Sequence, residues 1–140
     1  LRRWDTDGRV RFKPWFDADV LQDIDIVVFS EEDIAEAPEL EAQFAGVVKH
    51  LFVTRAEHGG TYYYEGAPTS YATPQVELLH PTGAGDVFAA SLLCALYALG
   101  DIPAATRVAA QLAATSVTRL GLDSAPTPTE VDQSLPGISK

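Results

Sequence analysis

The residues best suited to chemistry in this chain are His80-Pro81-Thr82-Gly83-Ala84-Gly85-Asp86. Glycines at alternate positions let backbone amides approach an oxyanion closely, and a helix that begins there aims its first N–H groups at it. Asp86 does not belong to a simple cradle, because a carboxylate repels a bound phosphate. Beside a phosphate it is suited to act as a base. The plain alternative is a tight turn with Asp86 capping a helix.

Such a loop needs rigid elements on both sides. Gln75-Val76-Glu77-Leu78-Leu79 is strand-like, and Val87 to Leu99 is a helical run, apolar nearly all round. That pattern predicts a helix buried on more than one side, with Cys94 inert inside it. Gly100 ends this helix, and Asp101 caps a second one, with Pro103 in its first turn, running to about Leu120. Ala109, Leu112, Ala113 and Val117 form its inward stripe.

Upstream, Arg9 to Phe12 alternates like a short strand, and Asp17 to Asp23 reads as a short helix with Val20 and Leu21 inward. Ile24 to Phe29 is a β-branched strand. Ser30-x-x-Asp33 reads as a capping box opening a helix, with Glu31 and Glu32 at the positive end of its dipole. The acidic residues from Glu31 to Glu41 read as a solvated face. A further helix is expected from Pro38 to about Ala45 and a strand from Val47 to Thr54. Gly59-Gly60 turns the chain into Thr61-Tyr62-Tyr63-Tyr64-Glu65, where alternation puts Tyr63 on one face and Tyr62 and Tyr64 on the other. Gly66 to Pro74 reads as a turn-rich connector, and Glu130 to Ser134 as a last short helix. Strands alternating with helices imply an α/β fold, with the loop at the carboxyl end of a strand.

Thr-Gly-Ala-Gly-Asp before a small, apolar helix resembles the second signature of the ribokinase-like (pfkB) carbohydrate kinases. Val53-Thr54-Arg55-Ala56-Glu57-His58-Gly59-Gly60 is similar to that family's strand ending in Thr-x-Gly-x-x-Gly. Val27 to Asp33 is similar to its strand ending in Asn-x-x-Glu, Ala109 to Gly121 to its penultimate helix, and Pro126 to Thr129 to its Pro-Thr segment. The resemblance runs from about residue 24 to about residue 135, in the family's order. It implies a three-layer ribokinase-like fold, a largely parallel sheet flanked by helices, with an antiparallel hairpin margin. It also implies ATP-dependent phosphorylation of a sugar or sugar-like hydroxyl, with ATP and Mg2+ as cofactors. Asp86 takes the place of the catalytic base, and Gly83, Ala84 and Gly85 that of the anion hole. Thr82 supports the phosphate loop. Thr54, Arg55 and Gly59 lie near the nucleotide by family position, as does Ala110, near which the family's Asn is expected and absent, with Gln111 adjacent. Asp33, acting through water, is the candidate for magnesium.

The chain departs from the family pattern at several points. Ser30-x-x-Asp33 replaces Asn-x-x-Glu, Ala56 replaces a glycine, and His80 stands where an Asp is usual. If residue 56 must adopt positive φ, alanine there is strained. These departures support an alternative, a non-catalytic nucleotide-binding or scaffold protein of the same fold. An unrelated dinucleotide binder ranks last, for want of a GxGxxG fingerprint.

A length of 140 residues is that of one domain, and 46% hydrophobic residues can form a core. Family members are longer, so the whole chain, 1–140, is expected to be the C-terminal, nucleotide-side part of a kinase domain. The substrate and lid half would be absent, and a truncated sheet would expose an edge or an apolar face open to a homodimer. A net charge of −10 argues against nucleic acid as partner, and no polybasic patch or membrane-length apolar run is visible. A cytoplasmic protein is expected, acting on a small sugar-like molecule.

Overall fold

The computed structural model describes residues 2–4 and 6–135, with side chains described from Thr6 onward. The chain divides into two compact units. The first holds the residues up to Ala56 together with Gly60–Ser70, and the second holds Glu57–Gly59 and the chain from Tyr71 on.

The first unit opens with strands β1 (Arg2–Trp4) and β2 (Val10–Phe12), an antiparallel pair. The short helix α1 (Ala18–Leu21) follows, capped by Asp17, whose carboxylate accepts from the Val20 amide. Leu21 is buried as expected, whereas Val20 is exposed. Strands β3 (Ile26–Ser30), β4 (His50–Thr54), β5 (Gly60–Tyr64) and β6 (Ala67–Tyr71) form one sheet in that order. It is a mixed sheet, with β3 parallel to β4 and β4 antiparallel to β5. A connection as short as Glu65-Gly66 allows only antiparallel pairing of β5 with β6. The hairpin margin is therefore present and one strand longer than expected, since the presumed connector contains β6.

Register explains the core. Val27 pairs with Leu51 and Leu51 with Tyr63, while Phe29 pairs with Val53. Side chains at these alternate positions share one face of the sheet. Helix α2 (Glu39–Ala45) covers that face, contributing Leu40, Phe44 and Ala45 to a cluster with Ile34, Val48, Leu51 and Val53. Phe44 meets Phe29 edge-on at 5.3 Å between ring centroids. On the opposite face Tyr62 stacks on Phe52 at 4.7 Å and on His50 at 6.0 Å, the alternation the Tyr run predicts.

The second unit is built on α3 (Ala84–Leu99) and α4 (Ile102–Ser116), which pack along their lengths. Phe88, Leu92 and Ala95 of α3 and Ala105, Ala109 and Leu112 of α4 are buried. The alanines among them, Ala95, Ala105 and Ala109, allow the helix backbones a close approach. Gly100 ends α3 in a left-handed conformation, and Asp101 caps α4 by accepting from the Ala104 amide at 2.7 Å. Helix α5 (Pro128–Ser134) opens with a capping box of Thr127 and Glu130, and Arg119 grips Glu130 with both guanidinium nitrogens.

Three expectations fail in this unit. Residues 75–79 form no strand, and all are exposed. A strand needs a hydrogen-bonded neighbour, and among the described residues the amides of Val76, Glu77 and Leu78 have none. Helix α3 is buried on one side only: Leu93 is 53% and Tyr97 96% exposed. Cys94 lies on that open side and is exposed rather than buried. Among the described residues, no helix is long and apolar enough to cross a membrane.

Candidate active site

The sequence-predicted residues fall into two clusters, one in each unit. In the first, parallel pairing sets Ser30 directly opposite Thr54, so the ends of β3 and β4 bring two of the motifs together. Ser30 leads into a single 3-10 turn, Glu31–Ile34, rather than a longer α-helix. The Asp33 carboxylate accepts from the Ser30 amide at 3.0 Å and from its hydroxyl at 2.9 Å, so the capping box is fully formed. One oxygen of the proposed magnesium residue is thus engaged in holding the turn.

Arg55, next along from Thr54, donates to Glu41 at 2.5 Å and to Glu31 at 3.3 Å. The Tyr63 hydroxyl donates to the same Glu41 oxygen at 2.6 Å. Burial pushes the Glu41 carboxyl upward, but the bonds from Arg55 and Tyr63 outweigh it and hold the pKa below its ordinary value. Burial and the adjacent Glu41 push the Tyr63 hydroxyl up to about 12. An open depression of about 340 Å³ is lined by Glu31, Glu32, Ile34, Ala35, Pro38, Glu41 and Arg55.

Glu41 was expected on a solvated acidic face, and instead lies half-buried against Arg55 and Tyr63. The signal was present in the helical spacing. Position 41 precedes Phe44 by three residues and Ala45 by four, on the stripe that faces the sheet. An acid there is held inward and takes a partner from the neighbouring strands. Ala56 adopts a φ of +46°, so the strain anticipated for alanine at a family glycine is real, about 1–2 kcal/mol.

In the second unit, Gly59 is buried at a φ of +80°, and a Cβ there would collide with the Tyr71 carbonyl oxygen and meet the Ala72 Cα at 3.0 Å. Its requirement is close backbone approach. Nearby, the Gln75 side-chain amide donates to the Glu57 carbonyl at 2.8 Å. Ala110, on α4, is buried at 3% exposure, and its carbonyl accepts from the Thr73 hydroxyl at 3.4 Å. It supports the segment leading toward the loop.

The loop itself has a different character. Gly83 is the N-cap of α3 at a φ of +89°, and Ala84, Gly85 and Asp86 form the first turn. The Ala84 amide donates to the Pro81 carbonyl at 3.2 Å and the Val87 amide to the Gly83 carbonyl at 2.9 Å. Among the described residues, the Gly85 and Asp86 amides have no partner, and no side chain caps the helix. Nothing lies within 4 Å of a Cβ built on Gly83 or on Gly85. The open space and the free N–H groups at the positive end of a 16-residue helix suit an anion. Thr82 and Asp86 are exposed beside it. For magnesium the fit is thinner: among the described residues, no group of three or more His, Cys, Asp or Glu side chains could hold a metal ion. Phosphate oxygens and water would have to supply most of its ligands.

The chain thus combines an α/β fold with a glycine-rich turn, open in front, at the head of a helix, and a carboxylate in that turn. The model of the pfkB family of carbohydrate kinases matches residues 18–130, and the chain belongs to that family. Solved structures agree. A ribokinase from Thermotoga maritima is 26% identical, with a TM-score of 0.73 over 85% of this chain and 44% of its own. An E. coli protein described as a ribokinase II, solved with ATP and Mg2+, is 28% identical, with a TM-score of 0.70 over 84% of this chain and 41% of its own. A nucleoside kinase from Burkholderia thailandensis in complex with inosine is 25% identical, with a TM-score of 0.69 over 86% of this chain and 43% of its own. The ribokinase-like fold is thereby established, and this chain spans less than half the length of each of these relatives.

Proposed function

We propose that this chain is the C-terminal, nucleotide-side part of a cytoplasmic kinase that transfers the γ-phosphoryl group of ATP to a hydroxyl of a sugar or sugar-like substrate. The observation that carries this reading is the turn Gly83-Ala84-Gly85-Asp86, open in front, with the Gly85 and Asp86 amides unpartnered among the described residues and an exposed carboxylate. ATP would supply the phosphoryl group, and Mg2+ would neutralise its charge. The amides of Gly85 and Asp86 would face the negative charge spread over the phosphoryl oxygens, with Gly83 and Ala84 shaping the hole. An Asp86 carboxylate oxygen would take the proton from the acceptor hydroxyl as that oxygen attacks. Thr82 would support the loop. In the first unit, Thr54 and Arg55 would border the nucleotide, and Asp33 would reach the metal through water.

The test is Asp86→Asn in the complete kinase, beside a calorimetric titration with magnesium-ADP. Lost turnover with intact nucleotide binding supports the assignment, and unchanged turnover removes Asp86 as base. A second reading, a non-catalytic nucleotide binder, draws on the capping of Ser30 by Asp33, which engages the would-be metal residue. Binding without turnover before and after the substitution would favour it.

A further inference from the structure

The first unit carries its charge in two blocks. Arg2, Arg3, Arg9, Arg11 and Lys13, in or beside the β1–β2 hairpin, are half of the ten lysines and arginines of the chain. Residues 14–48 then carry ten carboxylates and no lysine, arginine or histidine. In the hairpin, Arg3 and Arg11 are register partners, and like charges at partner positions lower the stability of a strand pair. Asp7 pairs with Arg11, while the Arg9 and Lys13 side chains are exposed, with no acidic partner among the described residues. In the acidic block Arg55 holds Glu31 and Glu41, whereas Glu36 and Glu39 are exposed, with no basic partner among the described residues. An apolar strip joins the two blocks. Trp15 and Phe16 stay more than a third exposed while resting on Phe44 of α2, at 6.4 Å and 5.6 Å between ring centroids. Phe12, at the end of the hairpin, packs against the same core, and Glu39 stands in the first turn of α2. Exposed aromatic rings beside arginines have the composition of an interface core.

We propose that this surface is self-complementary and pairs two copies of the chain. The aromatic strip of one copy meets that of the other, and the hairpin of each lies against the acidic face at Glu36 and Glu39 of the other. Crosswise contact of this kind is what a two-fold interface requires, since every contact in it occurs twice. The occupant is argued from charge. A hairpin this basic selects an acidic surface, and the chain's own is the complement at hand. A nucleic acid would instead be repelled by the remainder of a chain at net −10. Repulsion between the net charges of two copies is screened beyond about 8 Å at physiological ionic strength, so opposite groups in contact prevail over it. The proposal uses neither the Gly83–Asp86 turn nor a nucleotide, and stands apart from the function proposed above.

Sedimentation of the full chain over a range of concentrations is the test. A dimer is expected, and its Kd should rise about ten-fold or more between about 0.15 M and about 1 M salt, where the Debye length falls to about 3 Å. Two charge reversals, Arg9→Glu with Lys13→Glu and Glu36→Lys with Glu39→Lys, should each weaken self-association at least about ten-fold. Mixed together they should recover a heterodimer, because each reversed patch then faces its complement in the other copy. All four side chains are exposed, and recovery itself shows that both variants fold. Trp15→Ala should weaken the dimer about ten-fold and leave its salt dependence unchanged. A chain that sediments as a monomer at every concentration overturns the proposal. A dimer indifferent to salt and to both reversals overturns it as well, and places the contact on another face. Reversed variants that are folded by circular dichroism, yet separate and fail to recombine, overturn the crosswise pairing. Should a reversal unfold the chain, Lys13→Ala and Glu39→Ala take its place, and a dimer unchanged in both overturns the proposal.

Discussion

The carboxyl ends of β3 and β4 and the turn at the head of α3 carry motifs of the same family, but they treat polar groups in opposite ways. At the strand ends, Asp33 holds Ser30, and Arg55 is gripped by Glu41 and Glu31, with Tyr63 sharing Glu41. At the helix head, the Gly85 and Asp86 amides and the Asp86 carboxylate have no partner among the described residues. Groups that satisfy one another stabilise a fold. Groups that must meet a ligand are left open, and preorganisation for transferring charge depends on that. The contrast predicts that substitutions in the first region change stability and those in the second change rate.

The sharpest way to break this comparison is Asp86→Asn in the kinase proposed above. Loss of a general base should lower kcat by roughly 10²–10⁴-fold. Stability should move by less than about 1 kcal/mol, since only a charge in the first helical turn is removed. A large fall in Tm would assign Asp86 to the structural side.

Gly59→Ala tests a family glycine that belongs to that side. The new Cβ meets the Tyr71 backbone, which cannot step aside as a side chain can, and φ is already +80°. We expect a loss of about 3 kcal/mol or more, read by denaturant titration. A variant as stable as the parent would mean that the turn relaxes freely. Arg55→Leu is expected to cost less, about 1–2 kcal/mol. It strands the Glu41 carboxylate beside Tyr63, but the remaining solvent access reduces the penalty below that of a fully buried pair. If magnesium-ADP affinity falls while stability holds, Arg55 belongs to the nucleotide site instead.

Gly85→Ala separates the two roles within one residue. Position 85 is helical with open space around it, so alanine should stabilise α3 by about 0.5–1 kcal/mol. On the proposed reading the same methyl would narrow the anion hole, and kcat/KM of that kinase should fall about ten-fold. Higher Tm with unchanged kinetics would exclude the loop from the reaction.

Much of this arrangement was legible in the chain. Strands β3, β4 and β5, both long helices, the capping boxes at Ser30 and Thr127 and the Asp101 cap follow from local pattern and side-chain chemistry. What escaped depended on partners distant in sequence. Gln75 to Leu79 has strand-like residues but nothing to pair with, and β6 hides in a turn-rich stretch because β5 supplies its ladder. The periodicity of α3 announces a buried helix, yet burial depends on a second layer that the described residues do not provide. Glu41 looked like one acid among many until its pairing across to Arg55 was seen. The glycine-rich turn itself stood out because its residues are contiguous. Which groups remain free there is a fact of the fold.

The smallest effect concerns a pair far in sequence from Asp86. Glu130 is held down to about 2, first by its bond from Arg119 and then by the Thr127 amide. Because the folded-state value lies below the ordinary 4.5, the pair contributes fully above that pH. Its contribution is lost as pH falls from there toward about 2. Solvent around the pair keeps the effect modest, and it should be local, loosening α5 from the turn after α4 before the rest of the unit responds. Amide exchange along Pro128–Ser134 should rise through that acid range in the parent and be flat, and already fast, in Glu130→Gln. An acid transition of the same size in both proteins would place the titrating group elsewhere. An unchanged magnesium-ADP affinity across the same variant would confirm that this contact holds structure and takes no part in nucleotide binding.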